Sequence, residues 1–266
     1  MISPDCRLLV LFHGYGAPAS PSELARALPL PGLNAVLAYV NLPMVAGRLP
    51  VGGLDALRRL QKQNFVNGFF FPSISGAAHE LRPIVDQIAS AYHLEVKNGI
   101  GLFGFSAGGA AALLSLMESD VPVHAAVIVN APMSVAQNVE NWEHTLGLHF
   151  AWDDASHRAA LRYDIGAQAA RIARRQPLPA LLLLRGEADK SLGLDPAQRA
   201  YEQLRSAYTA HDGANRVELQ TVPGLGHQFG PDAKASPSEP ASDAAELPAR
   251  IEQWFQKFLK LAKLEK

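Results

Sequence analysis

Cysteine is nearly absent. Cys6 is the single one in 266 residues, so no intrachain disulfide can form. No set of thiolate-stabilising neighbours can be argued for it, and Cys6 reads as a packed side chain. An excess of charge of one sign is also missing: 24 Lys and Arg stand against 25 Asp and Glu, for a formal net charge of −1. That leaves no basic footprint for nucleic acid. No apolar run approaches the ~20 residues of a membrane span. Leu8 to Phe12 is too short for a signal-peptide core and leads straight into glycines. The expectation is a cytoplasmic protein with no membrane span. There is no internal repeat. His144, His149 and His157 have the spacing of no metal site, so neither a metal nor an organic cofactor is expected. What remains is a chain with 48% apolar and 18% charged residues. It suits one domain over 1–266 with a large core.

The chain is organised around Asn98 to Leu114, NGIGLFGFSAGGAAALL. The apolar run Ile100 to Phe105 predicts a buried parallel strand, covered on both faces. The Ala/Leu-rich run after Gly108 predicts a helix. Between them lies Gly104-Phe105-Ser106-Ala107-Gly108. Strand, sharp turn and helix with a serine at the turn is a nucleophile elbow. The glycines flank Ser106 where strand and helix meet with no room for a Cβ. The helix N-terminus then supplies N–H groups and a positive dipole end where an oxyanion would form.

Arg7 to Phe12 predicts a strand ending at His13-Gly14-Tyr15-Gly16. Ser20, Pro21 and Glu23 predict a helix start. Asn34 to Val40 predicts the next strand. Residues 41–75 read as a long loop with a short helix near Leu54 to Gln63, the run Phe69 to Phe71 being ended by Pro72. Glu80 to Tyr92 carries a helical stripe, with Pro83 tolerable only in its first turn. Val123 to Asn130, Leu178 to Arg185 and Arg216 to Val222 predict further strands. No strand pattern appears over 131–176, where one helical run covers Leu161 to Arg175; a segment of this kind can serve as a lid. Asp195 reads as the N-cap of the following helix. Residues 230–245 read as an irregular loop. The last helix carries the stripe Ile251, Trp254, Phe255, Phe258, Leu259 and Ala262, a packing face. Strands alternating with helices predict a mostly parallel sheet of about six strands with helices on both faces. Loops after the strand ends then gather on one edge.

Ser106, Asp189, His227 and Tyr15 all follow predicted strand ends. A serine hydroxyl needs a base, and the base needs a partner to orient it. His227 is the best-placed base, in a Gly-rich loop after the last strand, while His13 adjoins the glycine turn and would brace it. Asp189 is the preferred orienting acid, with Glu187 as runner-up. The backbone N–H groups of Ala107 and Tyr15 are the expected oxyanion donors. Tyr15, Phe71, Trp142, Phe150 and Trp152 are candidates for an apolar substrate pocket.

These stretches resemble the α/β-hydrolase superfamily. The branch is that of dienelactone hydrolases, prolyl-oligopeptidase-like domains and small bacterial carboxylesterases. The carriers are LLVLFHGYG (Leu8–Gly16), GLFGFSAGG (Gly101–Gly109), LLLLRGEADKSLG (Leu181–Gly193) and VPGLGHQF (Val222–Phe229). The order Ser106, Asp189, His227 matches the order of the triad in that superfamily. The resemblance implies the α/β-hydrolase fold with a small helical lid. It also implies a serine triad at those residues and hydrolysis through an acyl-enzyme. The strands that usually precede Arg7 in the family have no room, which shortens the sheet. The expected function is a carboxylesterase acting on a small-molecule ester. A peptidase, amidase or thioesterase of the same superfamily is the alternative; prolyl oligopeptidases carry a large accessory domain that this sequence does not show. A non-catalytic binder of small ligands is the remote third.

Overall fold

The computed structural model describes residues 6–146, 149–192, 194–234 and 244–259. Six strands form one sheet: β1 (Arg7–Phe12), β2 (Ala35–Val40), β3 (Ile100–Phe105), β4 (Val123–Val129), β5 (Ala180–Gly186) and β6 (Val217–Val222). Their order is β2-β1-β3-β4-β5-β6, and each of the five pairings is parallel. The register brings the carboxyl ends level: Phe12 faces Gly104, Phe105 faces Val129, and Gly186 faces Val222.

The inner strands β1, β3, β4 and β5 are apolar along most of their length because both faces are covered, whereas the edge strand β6 alternates, with Glu218 and Thr221 exposed. Leu8, Val10 and Phe12 belong to the core on one face, Leu9 and Leu11 to the core on the other. The second face is closed by α1 (Pro21–Ala27) and α9 (Leu247–Leu259). Of the α9 stripe Ile251, Trp254, Phe255 and Leu259 are buried, Phe258 is half-buried against the same core, and Ala262 lies outside the described residues. On the first face lie α3 (Phe71–Tyr92), α4 (Ala107–Glu118) and α8 (Leu194–Thr209). From Ala107 to Met117 every residue of α4 is buried, so it is a central helix rather than an amphipathic one. Arg175 donates to the carbonyls of Leu116, Ser119 and Val121 at 3.0, 2.6 and 2.5 Å, satisfying groups that the end of α4 leaves orphaned.

Three expectations need correction. Residues 65–75 are helical, not loop. After α2 (Gly53–Gln63), a π-helical turn spans Val66–Phe70 and runs directly into α3. Pro72 therefore opens a helix instead of ending a segment, since its missing N–H falls in the first turn. Pro83 sits well inside α3. A proline there costs about 3 kcal/mol, which burial of Ile74, Ala77, Leu81 and Val85 outweighs. Second, the helical run over 161–175 is broken. Between β4 and β5 lie α5 (Val135–Leu146), α6 (Asp154–Arg162) and α7 (Ala169–Ala173). The chain leaves the helix at Tyr163 because Ile165 N–H donates to Met133 O (3.0 Å) and Asp164 pairs with Ser134. Third, Asp195 lies inside the first turn of α8, not at its cap. Residues 235–243 of the predicted irregular loop lie outside the described residues.

The segment between β4 and β5 is fastened to the π-helical region by side chains. Asp153 caps α6, accepting from Ser156 N–H at 2.6 Å. Asn64 donates to Asp153 Oδ2 (3.0 Å) and to Ser156 Oγ (2.9 Å), and Asn67 donates to Asp153 Oδ1 (3.3 Å).

Candidate active site

Ser106 is the residue between β3 and α4. Its backbone sits at φ 52°, ψ −120°, a conformation L-residues avoid and surroundings must enforce. The enforcement is visible. Ser106 N–H donates to Val129 O (2.9 Å), and Ser106 O accepts from Ala110 N–H (3.1 Å). A Cβ on Gly104 would overlap the Gly108 carbonyl, and one on Gly108 would overlap the carbonyls of Phe12 and His13. The two glycines therefore let strand, helix and the β1 loop close on one point.

Ser106 Oγ lies 3.0 Å from His227 Nε2, and His227 Nδ1 lies 2.8 Å from Asp189 Oδ2. Asp189 is buried; its other oxygen accepts from Ser191 N–H (2.8 Å) and Leu192 N–H (3.3 Å). A carboxylate fixed this way accepts a hydrogen bond from Nδ1–H, which keeps the ring proton on Nδ1 and leaves Nε2 as an acceptor facing the serine hydroxyl. Glu187, the alternative acid, is exposed. Phe105 packs its ring on His227 at 5.6 Å and on Phe229 at 4.9 Å.

The loop after β1 lies against this group. A Cβ on Gly14 would come within 3.1 Å of the Ser106 Cβ. Phe229 N–H donates to Ala17 O (3.2 Å) and so joins this loop to the His227 loop. His13 holds the turn from below: Nδ1 donates to Gly14 O (2.7 Å), and Nε2 accepts from Leu42 N–H (3.3 Å). Among the described residues neither Tyr15 N–H nor Ala107 N–H has an acceptor. The Tyr15 hydroxyl is buried without a well-formed hydrogen bond, since its neighbour Ser73 donates to Pro43 O (2.8 Å). Burial accordingly pushes this phenol above its ordinary pKa.

The aromatic candidates separate. Tyr15 packs on Phe69 (4.6 Å), Phe69 on Phe65 (5.7 Å), and Phe65 on Trp142 (5.4 Å) and Phe150 (5.1 Å). Phe71 does not join them. It lies under the Arg162 guanidinium, which pairs with Glu118 at the far end of the helix that begins beside Ser106. Trp152 stacks on His157 at 5.1 Å. Among the described residues no three His, Cys, Asp or Glu side chains gather as metal ligands, and no helix is long and apolar enough to cross a membrane.

Two residues at the site were not singled out by the sequence. Phe65, the hub of the aromatic chain, is followed by Val66 and Phe69, a spacing that fits a helix, but Pro72 and Gly68 mask it. Asn130 follows β4 with φ 45° and is buried. Its Oδ1 accepts from Gly186 N–H (2.7 Å), and its Nδ2 donates to Gly226 O (2.8 Å) and His227 O (3.1 Å). One amide thus ties the loop bearing Asp189 to the loop bearing His227. A polar residue ending an apolar strand on the functional edge was the available signal.

A parallel sheet with a serine elbow on its carboxyl edge defines an α/β-hydrolase. Residues 82–261, more than half of the chain, match the prolyl oligopeptidase family (Peptidase_S9). The chain belongs to that family and is a serine hydrolase. Solved structures share the fold. TT1662 from Thermus thermophilus aligns at 17% identity and TM-score 0.63 over 96% of this chain and 90% of its own. Est1E from Butyrivibrio proteoclasticus, solved with ferulic acid, aligns at 16% and 0.58 over 97% and 92%. An acylaminoacyl peptidase from Pyrococcus horikoshii aligns at 13% and 0.60 over 100% of this chain but 39% of the peptidase. No curated protein matches the chain.

Proposed function

We propose that the protein is a carboxylesterase working through Ser106, His227 and Asp189, as a single domain whose 131–176 segment acts as a lid. The observation that carries this reading is the continuous relay from Ser106 Oγ to His227 Nε2 (3.0 Å) and from Nδ1 to Asp189 (2.8 Å). Ser106 Oγ attacks the ester carbonyl carbon while its proton passes to His227 Nε2. The carbonyl electron pair moves to oxygen, where the N–H groups of Tyr15 and Ala107 receive the negative charge. Collapse breaks the bond to the alcohol oxygen, which takes the proton from His227. Water, deprotonated by the same ring, then attacks the acyl-enzyme and releases the acid. Asp189 stays ionised throughout and orients the imidazole. The apolar side of the substrate lies along Tyr15, Phe69, Phe65, Trp142 and Phe150.

The test is hydrolysis of p-nitrophenyl esters from acetate to palmitate, with Ser106→Ala alongside and fluorophosphonate labelling of both. Turnover should fall by about 10³-fold or more in the variant, and labelling should vanish. A folded Ser106→Ala protein with full esterase activity would overturn the reading. The family membership favours one second reading, a peptidase, and aminoacyl-naphthylamides turned over well above short esters would establish it.

A further inference from the structure

A cavity of about 650 Å³ opens between α5, α8 and the carboxyl ends of β4 and β5. Ser106, His227 and Tyr15 do not line it. Its floor is apolar, formed by Met133, Leu183 and Leu219, and Gln137 and Asn141 bring amides to the α5 wall. Arg185 projects into it from β5, two residues on from Leu183 and so on the same face of the strand.

Arg185 is unusual among the arginines. Its Nε is buried without a partner, and among the described residues its side chain makes no hydrogen bond or ion pair. Arg175 also has an unpartnered Nε, but its terminal nitrogens serve three carbonyls. The other charged or titratable lining groups, Glu140, His144, Asp195 and Arg199, are exposed at the rim. Neither carboxylate comes within ion-pair distance of Arg185. A buried Nε donor left without a partner costs free energy unless an acceptor arrives.

We propose that this cavity binds a monocarboxylate carrying a short apolar body, its carboxylate on Arg185 and its body on Met133, Leu183 and Leu219. The planar guanidinium matches a carboxylate through two parallel hydrogen bonds. A single interior cation, with Glu140 and Asp195 beside Arg199 and His144 at the exposed rim, suits a monoanion better than a phosphate dianion. The site does not depend on the catalytic reading above.

Isothermal titration tests it with octanoate, octanol and acetate as probes. Octanoate should bind saturably to the full chain. Octanol, without the charge, and acetate, without the body, should each bind about tenfold more weakly or worse. Arg185→Gln should weaken octanoate by about tenfold or more, and Arg185→Lys should recover part of the loss. Ala197→Glu puts a carboxylate at the α8 wall and should abolish binding while leaving Arg185 in place; it also serves if Arg185→Gln does not fold. Octanoate binding unchanged by Arg185→Gln, or by Ala197→Glu, would place the acid elsewhere and overturn the proposal. Absence of saturable octanoate binding to the wild type would do so equally.

Discussion

Burial holds the His13 ring below its ordinary pKa of 6.5, partly offset by the Gly14 carbonyl, Asn41 and Glu23. Protonating Nε2 would also remove the acceptor for Leu42 N–H. The folded state therefore binds this proton less readily than the unfolded chain. Stability is full above pH 6.5 and is lost as pH falls from there towards the lower folded value. Melts between pH 5 and 8 should show that slope in the wild type and a flatter one in His13→Gln. Asn130 works at the same scale on a different quantity. Asn130→Asp keeps an oxygen for Gly186 N–H but turns a carboxylate towards the carbonyls of Gly226 and His227. Misplacing the base by about 1 Å should lower kcat by about 10²-fold, with KM little changed. Fluorophosphonate labelling should slow in parallel. Loss of stability with kcat intact would assign Asn130 a structural role alone.

The elbow is where an element, rather than a side chain, carries the chemistry. Gly104→Ala forces a methyl group into the Gly108 carbonyl, and backbone on both sides leaves nothing soft to yield. The expected loss is about 3 kcal/mol, measured by urea unfolding, together with loss of activity. This element was legible in the sequence because its demands are local: an apolar run, two small residues and a helix former, in order. So were the six strands, five of them apolar runs and β6 an alternating one. The stretch from Phe65 to Ser75 was not. Its helix is held by packing of Ile74, Ala77 and Leu81 against α4, and Pro72 and Pro83 argue locally against it. The break at Tyr163 is likewise set by a distant partner, Met133. At the site, Ser106, Asp189 and His227 could be placed because topology puts strand ends on one edge. Asn130 and Phe65 matter through what they touch, and no spacing announces that.

Across the whole molecule, the aromatic chain from Tyr15 through Phe69 and Phe65 to Trp142 and Phe150 links the β1 loop to the segment between β4 and β5. Phe65→Ala removes the hub of that chain. It should cost about 3 kcal/mol and alter the chain-length profile of p-nitrophenyl ester hydrolysis more than the rate on acetate. An unchanged profile would detach this cluster from substrate selection.

The polar fastening at Asp153 has a mechanical meaning. Because the carboxylate that caps α6 also receives Asn64 and Asn67, a displacement of α6 is transmitted to residues nearly ninety positions earlier without passing through the sheet. The two regions are one lever, and any movement of α6 must carry both together. The hydrogen bonds from Ser156, backbone first and then hydroxyl, and from Asn64 hold Asp153 below the usual carboxylate range. The coupling therefore persists above the ordinary pKa of 3.8 and is released only as acid reaches the lower folded value. At neutral pH, hydrogen exchange at Asn67 and Ser156 should slow or quicken as a pair, and in Asp153→Ala the two should part company.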